Sequence, residues 1–445
     1  MYNLAIIGSG PAGYVAAERA GSAGLKVVLF EKKELGGVCL NEGCIPTKTL
    51  LHSAKLLDYA KTSDKYGINI AEANIDYAKT LTRKEKVRKK LVGAIKVAMR
   101  NAGVEVVNGE AQLTGGCDGD FTVTANGEEF HSEKLLICTG SETFTPQIDW
   151  LEPVKDKIIT SREALELDTV PDTLAIVGGG VIGMEFASLF TSLGSKVCVY
   201  ELQPEILGVI DGDIAEMLRK SYEAKGVKFY LGGNLEGIEP VLNAEKILLC
   251  VGRRASLGGL DIESIDLKAN SRGALETDEF MQTAVKGVYA AGDITGKYML
   301  AHCASREGEV AVAHILRQED RMSYRAVPSV VYTSPEVACT GLSEAQARTS
   351  GQDVAVRSLP MAYSGRFVAE NERGNGLCKI VYDKQSGAVL GVQMIGGPCS
   401  EIIASCCIAI EKGLTVSDLQ KIIFPHPSVS EIIKETSWSE DIESK

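Results

Sequence analysis

The segment GGVCLNEGCIPTK, residues 36–48, sets Cys39 and Cys44 five positions apart between a glycine pair and a proline. A thiolate is the nucleophile in sulfur exchange, and two cysteines this close can join where the chain bends their Cα atoms to within ~6 Å. The run from Leu50, LLHSAKLLDYAK, has helical periodicity, and Pro46 suits a first helical turn. The cysteines therefore lie at or just before a helix start, where the dipole lowers a thiol pKa. That setting suits a redox pair. Without its flanks, C-x4-C equally fits two buried thiols or half of a zinc site. The vicinal cysteines in SCCIA (405–409) sit in an apolar helical stretch and read as packing, so no metal is expected.

Exchange at a dithiol also needs a base, and imidazole titrates nearest working pH. The chain has five histidines. His52 and His131 have surface settings, His314 follows the alanine-rich GEVAVAHILRQ, and His302 opens a helix in MLAHCASREG. His426 differs. In FPHPSVSE (424–431) it stands between Pro425 and Pro427, which restrict the backbone around it, and Glu431 is close enough to orient and charge-stabilise the ring. Folding or a second subunit must bring this pair to the distant cysteines.

Two stretches can position such chemistry. NLAIIGSGPAGYVAAERAGSAGLKVVLFE reads as strand, glycine turn, alanine-rich helix and second strand, with Gly8, Gly10 and Gly13 in the turn around Pro11 and Ala12, and Glu31 at the end. LAIVGGGVIGMEFASLFTSLGSKVCVYE repeats the plan with Gly178, Gly180 and Gly183, then Val181 and Ile182 along the turn, and Glu201. In both, the acid follows the third glycine by 18 positions. Glycines let backbone approach a pyrophosphate, the helix N-terminus supplies N–H donors, and the carboxylate accepts from ribose hydroxyls. A carboxylate at Glu201 would repel the 2′-phosphate of NADP, and LQPEILGVID offers no arginine to bind it, so NAD is favoured. Two dinucleotides imply a resident flavin and an exchanging nicotinamide. LLICTGS (135–141), ILLCVGR (247–253) and GVYAAGD (287–293) are strands closing on glycine, and Asp293 emerges where a ribityl hydroxyl could bond it.

The 445 residues allow about three domains. With 47 Lys plus Arg against 59 Asp plus Glu, the net charge of −12 disfavours nucleic acid. The densest basic run, RKEKVRKK (83–90), reads as a solvated helix face. No stretch is apolar enough to span a membrane and the N-terminus lacks a basic leader, so a cytoplasmic protein is expected. Twelve scattered cysteines fit reduced thiols there, which makes a cycling pair catalytic rather than structural.

From these motifs, the whole chain to about residue 438 resembles the dimeric flavoprotein disulfide reductases, and among them most nearly the dihydrolipoyl dehydrogenases. GGVCLNEGCIPTK is similar to their redox-disulfide signature, TDEFMQTAVKGVYAAGD to a second FAD motif, PSVVYTSPEVACTGLSEAQA to the interface domain, and FPHPSVSE to the acid/base motif. The resemblance implies that Cys39 exchanges with substrate, that Cys44 lies nearest the flavin, and that Lys48 and Glu185 pair beside it. It further implies FAD contacts at Gly37, Val38, Lys48, Ala111, Thr139, Gly140, Ser141, Asp293 and the backbone of Met299, Leu300, Ala301 and His302, and a NAD contact at Gly252. His426 and Glu431 would serve the cysteines of the other subunit, which implies a homodimer.

The expected fold is α/β, with two Rossmann-like dinucleotide-binding domains and an α+β C-terminal dimerisation domain. The FAD domain is expected at 1–148 and 273–325, the NAD domain at 149–272 and the interface domain at 326–445. The implied reaction oxidises a lipoyl group carried by another protein, in a 2-oxoacid dehydrogenase complex or the glycine cleavage system. Sister enzymes are less well matched: glutathione reductases carry a tyrosine where Val181 stands, and mercuric reductases end in vicinal cysteines that WSEDIESK lacks. Three departures from the pattern remain. Between VKFYL and AEKILLCVGR the chain is too short for the strands usually inserted there, Ser428 replaces a usual threonine, and Cys138 a usual alanine.

Overall fold

The computed structural model describes residues 1–371 and 375–442. The first dinucleotide segment folds as expected. Strand Tyr2–Ile7, helix α1 (Pro11–Ser22) and strand Val27–Glu31 form a βαβ unit whose strands are buried on both faces. It sits in a seven-stranded sheet ordered Glu105–Asn108, Val27–Glu31, Tyr2–Ile7, Glu128–Ile137, Asp120–Ala125 and Gln112–Cys117, with Val288–Ala290 parallel to Glu128–Ile137. Thus GVYAAGD returns to the first unit from far along the chain.

Short helix α2 (Gly37–Asn41) and long helix α3 (Cys44–Lys61) follow. Cys44 is the first residue of α3, while Cys39 lies within α2 rather than in a loop before a helix. Helix α4 (Tyr77–Asn101) carries the basic run, and it corrects one expectation: Lys84 is buried, its Nζ donating to the Leu165 carbonyl at 2.6 Å and to Glu166 at 2.7 Å. The rest of that run is largely solvated.

The second dinucleotide segment builds a five-stranded parallel sheet ordered Lys228–Tyr230, Lys196–Tyr200, Thr173–Val177, Lys246–Leu249 and Ile158–Ile159, with helix α5 (Val181–Leu193) after its glycine turn. The short connection before Lys246 forms no strand. Helix α6 (Ile238–Asn243) fills that place, and Val241 packs with Val177, Tyr200 and Leu249 over one face of the sheet. The apolar face of the domain is covered there. Ser141–Thr143 and Arg253–Ala255 pair antiparallel and tie the two sheets together.

After helix α7 (Ala301–Ile315), an antiparallel sheet ordered Ser329–Val331, Val337–Gly341, Val389–Ile395, Leu377–Asp383 and Val354–Pro360 makes the C-terminal domain. Helices α8 (Cys399–Glu411) and α9 (Glu431–Trp438) pack on it, with Cys399, Cys406, Ile432 and Ile433 in one core. Of the vicinal cysteines in SCCIA, Cys406 packs in that core and Cys407 is half-buried, while Ile408 is exposed. Among the described residues, no helix is long and apolar enough to cross a membrane and no cluster of ligands could hold a metal ion.

Candidate active site

The two glycine turns are built alike, down to single hydrogen bonds. Gly8 N–H donates to Phe30 O at 2.9 Å and Gly178 N–H to Tyr200 O at 2.8 Å. Glu31 accepts from the Ser9 amide at 3.0 Å and the Lys33 amide at 2.8 Å; Glu201 accepts from the Gly179 amide at 2.6 Å and the Gln203 amide at 2.8 Å. Each acid is held at its strand end beside the turn, where a ribose would be read.

The space at these turns fits dinucleotides. A side chain on Gly8 or Gly13 would collide with the Cys138 or Gly8 carbonyl, as one on Gly178 or Gly183 would with the Cys250 or Gly178 carbonyl. At Gly10, Gly140, Gly180 and Gly252 it would meet nothing within 4 Å. The closed positions pack helix on strand and the open ones leave room for a pyrophosphate to approach backbone. The buried Thr139 hydroxyl, next to Gly140, has no hydrogen-bond partner among the described residues. Gly10→Val should then fold with a melting temperature near that of FAD-free wild type and fail to retain FAD, whereas Gly13→Ala should cost about 1–3 kcal/mol of stability. Paired thermal melts and flavin absorbance distinguish them, and equal destabilisation of the two would refute this division.

The cysteine segment lies against the first turn. A side chain on Gly37 would come within 2.6 Å of Gly10 Cα, and Gly36 N–H donates to Ser9 O at 2.9 Å. Val38 stays partly exposed on the same short helix. One turn beyond Cys44 on α3, Lys48 reaches across to α5, where both oxygens of the buried Glu185 lie 2.8 Å from its Nζ. Tyr332 completes this contact: its amide donates to Glu185 at 3.1 Å and its ring sits 4.7 Å beneath Lys48 Nζ. The cysteine helices thus touch the first turn at one end and the helix of the second turn at the other.

Cys39 and Cys44 are both half-buried. Cys44 is the more acidic. A hydrogen bond from Cys39 lowers its pKa most, burial opposes this, and the Lys48 ammonium lowers it further. Cys39 is pushed upward as the hydrogen-bond donor, and also by burial. Within the pair the proton favours Cys39 and the thiolate favours Cys44.

Asp293 accepts a hydrogen bond from Ser141 Oγ, and Arg253 donates to Ser141 Oγ and Ser141 O, each at 2.8 Å. Burial raises the Asp293 pKa, and its charge is felt at Cys39. Ala111 is buried nearby on the same sheet's core, and Met299, Leu300 and Ala301 lead into α7. The His302 ring turns away to Pro328 O at 2.8 Å, which leaves only its backbone for a cofactor.

His426 stands apart. Its Nδ1 is 2.9 Å from Glu431 Oε1, and the Ser428 amide donates to Glu431 Oε2 at 2.9 Å. Ser428 N–H first, then His426, holds the Glu431 carboxyl below its usual range. Ser428 Oγ binds Pro425 O at 2.7 Å, so serine maintains this turn. The imidazole is 79% exposed, and among the described residues no hydrogen bond joins it to the cysteine segment of its own chain. The same domain exposes Ile408, Ile423 and Trp438, a surface suited to burial against another chain.

Sequence reasoning missed Ser9, Tyr332 and Arg253. Arg253 had a signal, a charge closing the apolar run ILLCVGR, whereas Tyr332 had none, since only folding brings it to Lys48.

Residues 2–308 match the family described as pyridine nucleotide-disulphide oxidoreductase, and residues 327–437 match the dimerisation domain of that family. The chain is 37% identical to the dihydrolipoyl dehydrogenase of Mycoplasma genitalium over 449 residues, covering 97% of each protein. It is also 37% identical to that of Chlorobaculum tepidum, covering 98% of this chain and 96% of the relative. Among solved structures, LpdA from Mycobacterium tuberculosis superposes with a TM-score of 0.89 at 25% identity, over 98% of this chain and 99% of that one. The HOCl-induced flavoprotein disulfide reductase RclA from Escherichia coli does so with a TM-score of 0.84 at 28% identity, over 98% of this chain and 99% of that one. With its two dinucleotide turns, the cysteine helices between them and a dimerisation domain behind, this chain belongs to the pyridine nucleotide-disulphide oxidoreductase family.

Proposed function

We propose that this chain oxidises a protein-bound dihydrolipoyl group to lipoyl while reducing NAD+ to NADH, through a Cys39–Cys44 disulfide and FAD. The observation that carries this reading is the seat of the cysteine helices, which bear on the Gly8–Gly13 turn and, through Lys48 and Glu185, on the helix of the Gly178–Gly183 turn. A dithiol placed there would face the flavin, with NAD on the flavin's other side. The 37% identical dihydrolipoyl dehydrogenases support the choice of substrate.

In the proposed mechanism His426 of one subunit, oriented by Glu431, removes a proton from one substrate thiol. That thiolate attacks Cys39, breaks the Cys39–Cys44 bond and releases Cys44 as thiolate. The second substrate thiol then attacks the mixed disulfide, closing the lipoyl ring and returning Cys39 as a thiol. Substrate loses two electrons and two protons, and the cysteine pair gains the electrons. FAD, when bound, accepts that electron pair and passes it to NAD+. Lys48, neutralised in part by Glu185, stabilises the Cys44 thiolate.

FAD would be held by the Gly8, Gly10, Pro11, Ala12 and Gly13 turn, Glu31, Gly37 to Val38, Lys48, Ala111, Thr139 to Ser141, Asp293 and the 299–302 backbone. NAD would lie on Gly178, Gly180 to Gly183, Glu201 and Gly252. We keep 1–148 with 273–325, 149–272 and 326–445 as the three functional units. The partner is the lipoyl domain of a 2-oxoacid dehydrogenase complex or the glycine cleavage carrier, met in a reducing cytoplasm that suits twelve free cysteines.

The test is a substrate panel on the purified, FAD-loaded protein. Free dihydrolipoamide with NAD+ should turn over at least ~10²-fold faster than NADH does with glutathione disulfide or coenzyme A disulfide. The reverse ranking would assign another disulfide substrate, and no turnover on any would leave an FAD-holding structural subunit.

A further inference from the structure

A buried acid behind the Asp293 turn has no part in the chemistry above. Glu307, on α7, is fully buried. Its Oε2 accepts from the Gly292 amide at 2.6 Å and its Oε1 from the Tyr324 hydroxyl at 2.7 Å. Burial pushes its carboxyl up to about 7, opposed by the Tyr324 and Gly292 hydrogen bonds and by Lys297, while the Asp293 charge adds to the rise. Cys303 on the same helix and Cys138 at the end of Glu128–Ile137 also feel its charge.

Burying an ionisable group costs several kcal/mol, and a leucine of similar size would not incur that cost. The hydrogen bonds give a reason for the acid. Gly292 has φ 84° and ψ −158°, a conformation adopted in practice only by glycine. Its N–H points into the core, and Glu307 is its partner among the described residues. That N–H belongs to the Ala291–Gly292 peptide, so Glu307 fixes the chain as it enters Gly292, whose φ and ψ then turn Asp293 toward Ser141. Tyr324 fixes Glu307 from the other side, and its neighbour Arg325 donates to Ile410 O at 2.6 Å in the C-terminal domain.

We propose that Glu307 is a positioning residue for FAD: it holds the Gly292 peptide in the orientation that presents Asp293 to the ribityl chain, and Tyr324 locks it there. This rests on the FAD reading above.

The test uses the full-length protein stripped of flavin and titrated with FAD, followed by flavin fluorescence and visible circular dichroism. Glu307→Leu should weaken FAD at least ~10-fold, as leaving the buried Gly292 N–H without its acceptor would, and change the dichroism. Glu307→Gln keeps an oxygen for the Gly292 amide and should stay within ~3-fold of wild type. Tyr324→Phe should fall between them, and it decides the matter should Glu307→Leu fail to fold. Wild-type affinity and dichroism in Tyr324→Phe or Glu307→Leu, or equal losses in Glu307→Gln and Glu307→Leu, would overturn the role. A wild-type protein that binds no FAD would overturn the FAD reading instead.

Discussion

Cys44→Ser should bind FAD, stay yellow and lose at least ~10³-fold of its dihydrolipoamide turnover, because the electron pair then has no second sulfur through which to leave substrate. Serine is close to cysteine in size, and the N-terminal turn of α3 gains a hydroxyl that suits it, so stability should change by less than ~1 kcal/mol. The variant's loss is chemical. On reduction it should also lack the long-wavelength absorbance that a thiolate gives against an oxidised flavin. In the wild type that absorbance should depend on pH with a definite sign. The Cys39 hydrogen bond and Lys48 pull Cys44 down to about 7, so the thiolate and its band persist above that pH and fade as pH falls through it. Stopped-flow absorbance between pH 5.5 and 8.5 measures both effects, and wild-type-like turnover in Cys44→Ser would remove the cysteine pair from the mechanism.

His426→Gln should lose at least ~10²-fold in kcat/KM for dihydrolipoamide, the usual scale for removing a general base. Glutamine keeps a polar group of similar reach but cannot take up a proton at working pH. The variant's pH–rate profile should lose the limb that a general base contributes to the wild type. Glu431→Gln should act through His426, lowering kcat/KM by less than His426→Gln does, because its carboxylate lies 2.9 Å from Nδ1 and orients the ring. An unchanged pH profile in His426→Gln would assign the proton to another group. The exposed imidazole fits a reaction shared between two chains: among the described residues no hydrogen bond joins it to its own cysteines, and it lies in the matched dimerisation domain with the exposed Ile408 and Ile423.

Much of this site was legible before folding because its signals are local. Glycine spacing, the acid 18 positions on, and the cysteine pair ahead of a helical run each report a constraint within one supersecondary unit. His426 and Glu431 were legible for the same reason, since five residues of turn are enough to join them. What escaped were contacts made by the fold alone. Lys84 reads as one more cation in a solvated run, yet the carbonyl of Leu165 and the carboxylate of Glu166 draw it inside. Tyr332 lies beneath Lys48 only because the C-terminal sheet approaches α3. Glu307 is written in a helix that opens as alanine and polar residues alternate, and nothing local separates a buried acid there from a solvated one. The short segment before Lys246 could be counted but not shaped: its length excluded extra strands, while the fold showed that α6 covers the sheet face in their place.

The claim on which everything else rests is that the Cys39–Cys44 pair stands between the thiol substrate and the flavin. Anaerobic addition of one equivalent of dihydrolipoamide to the FAD-loaded protein, without NAD+, should produce the long-wavelength thiolate–flavin band before the flavin itself bleaches. Direct bleaching with no such band, at a pH well above 7, would contradict it.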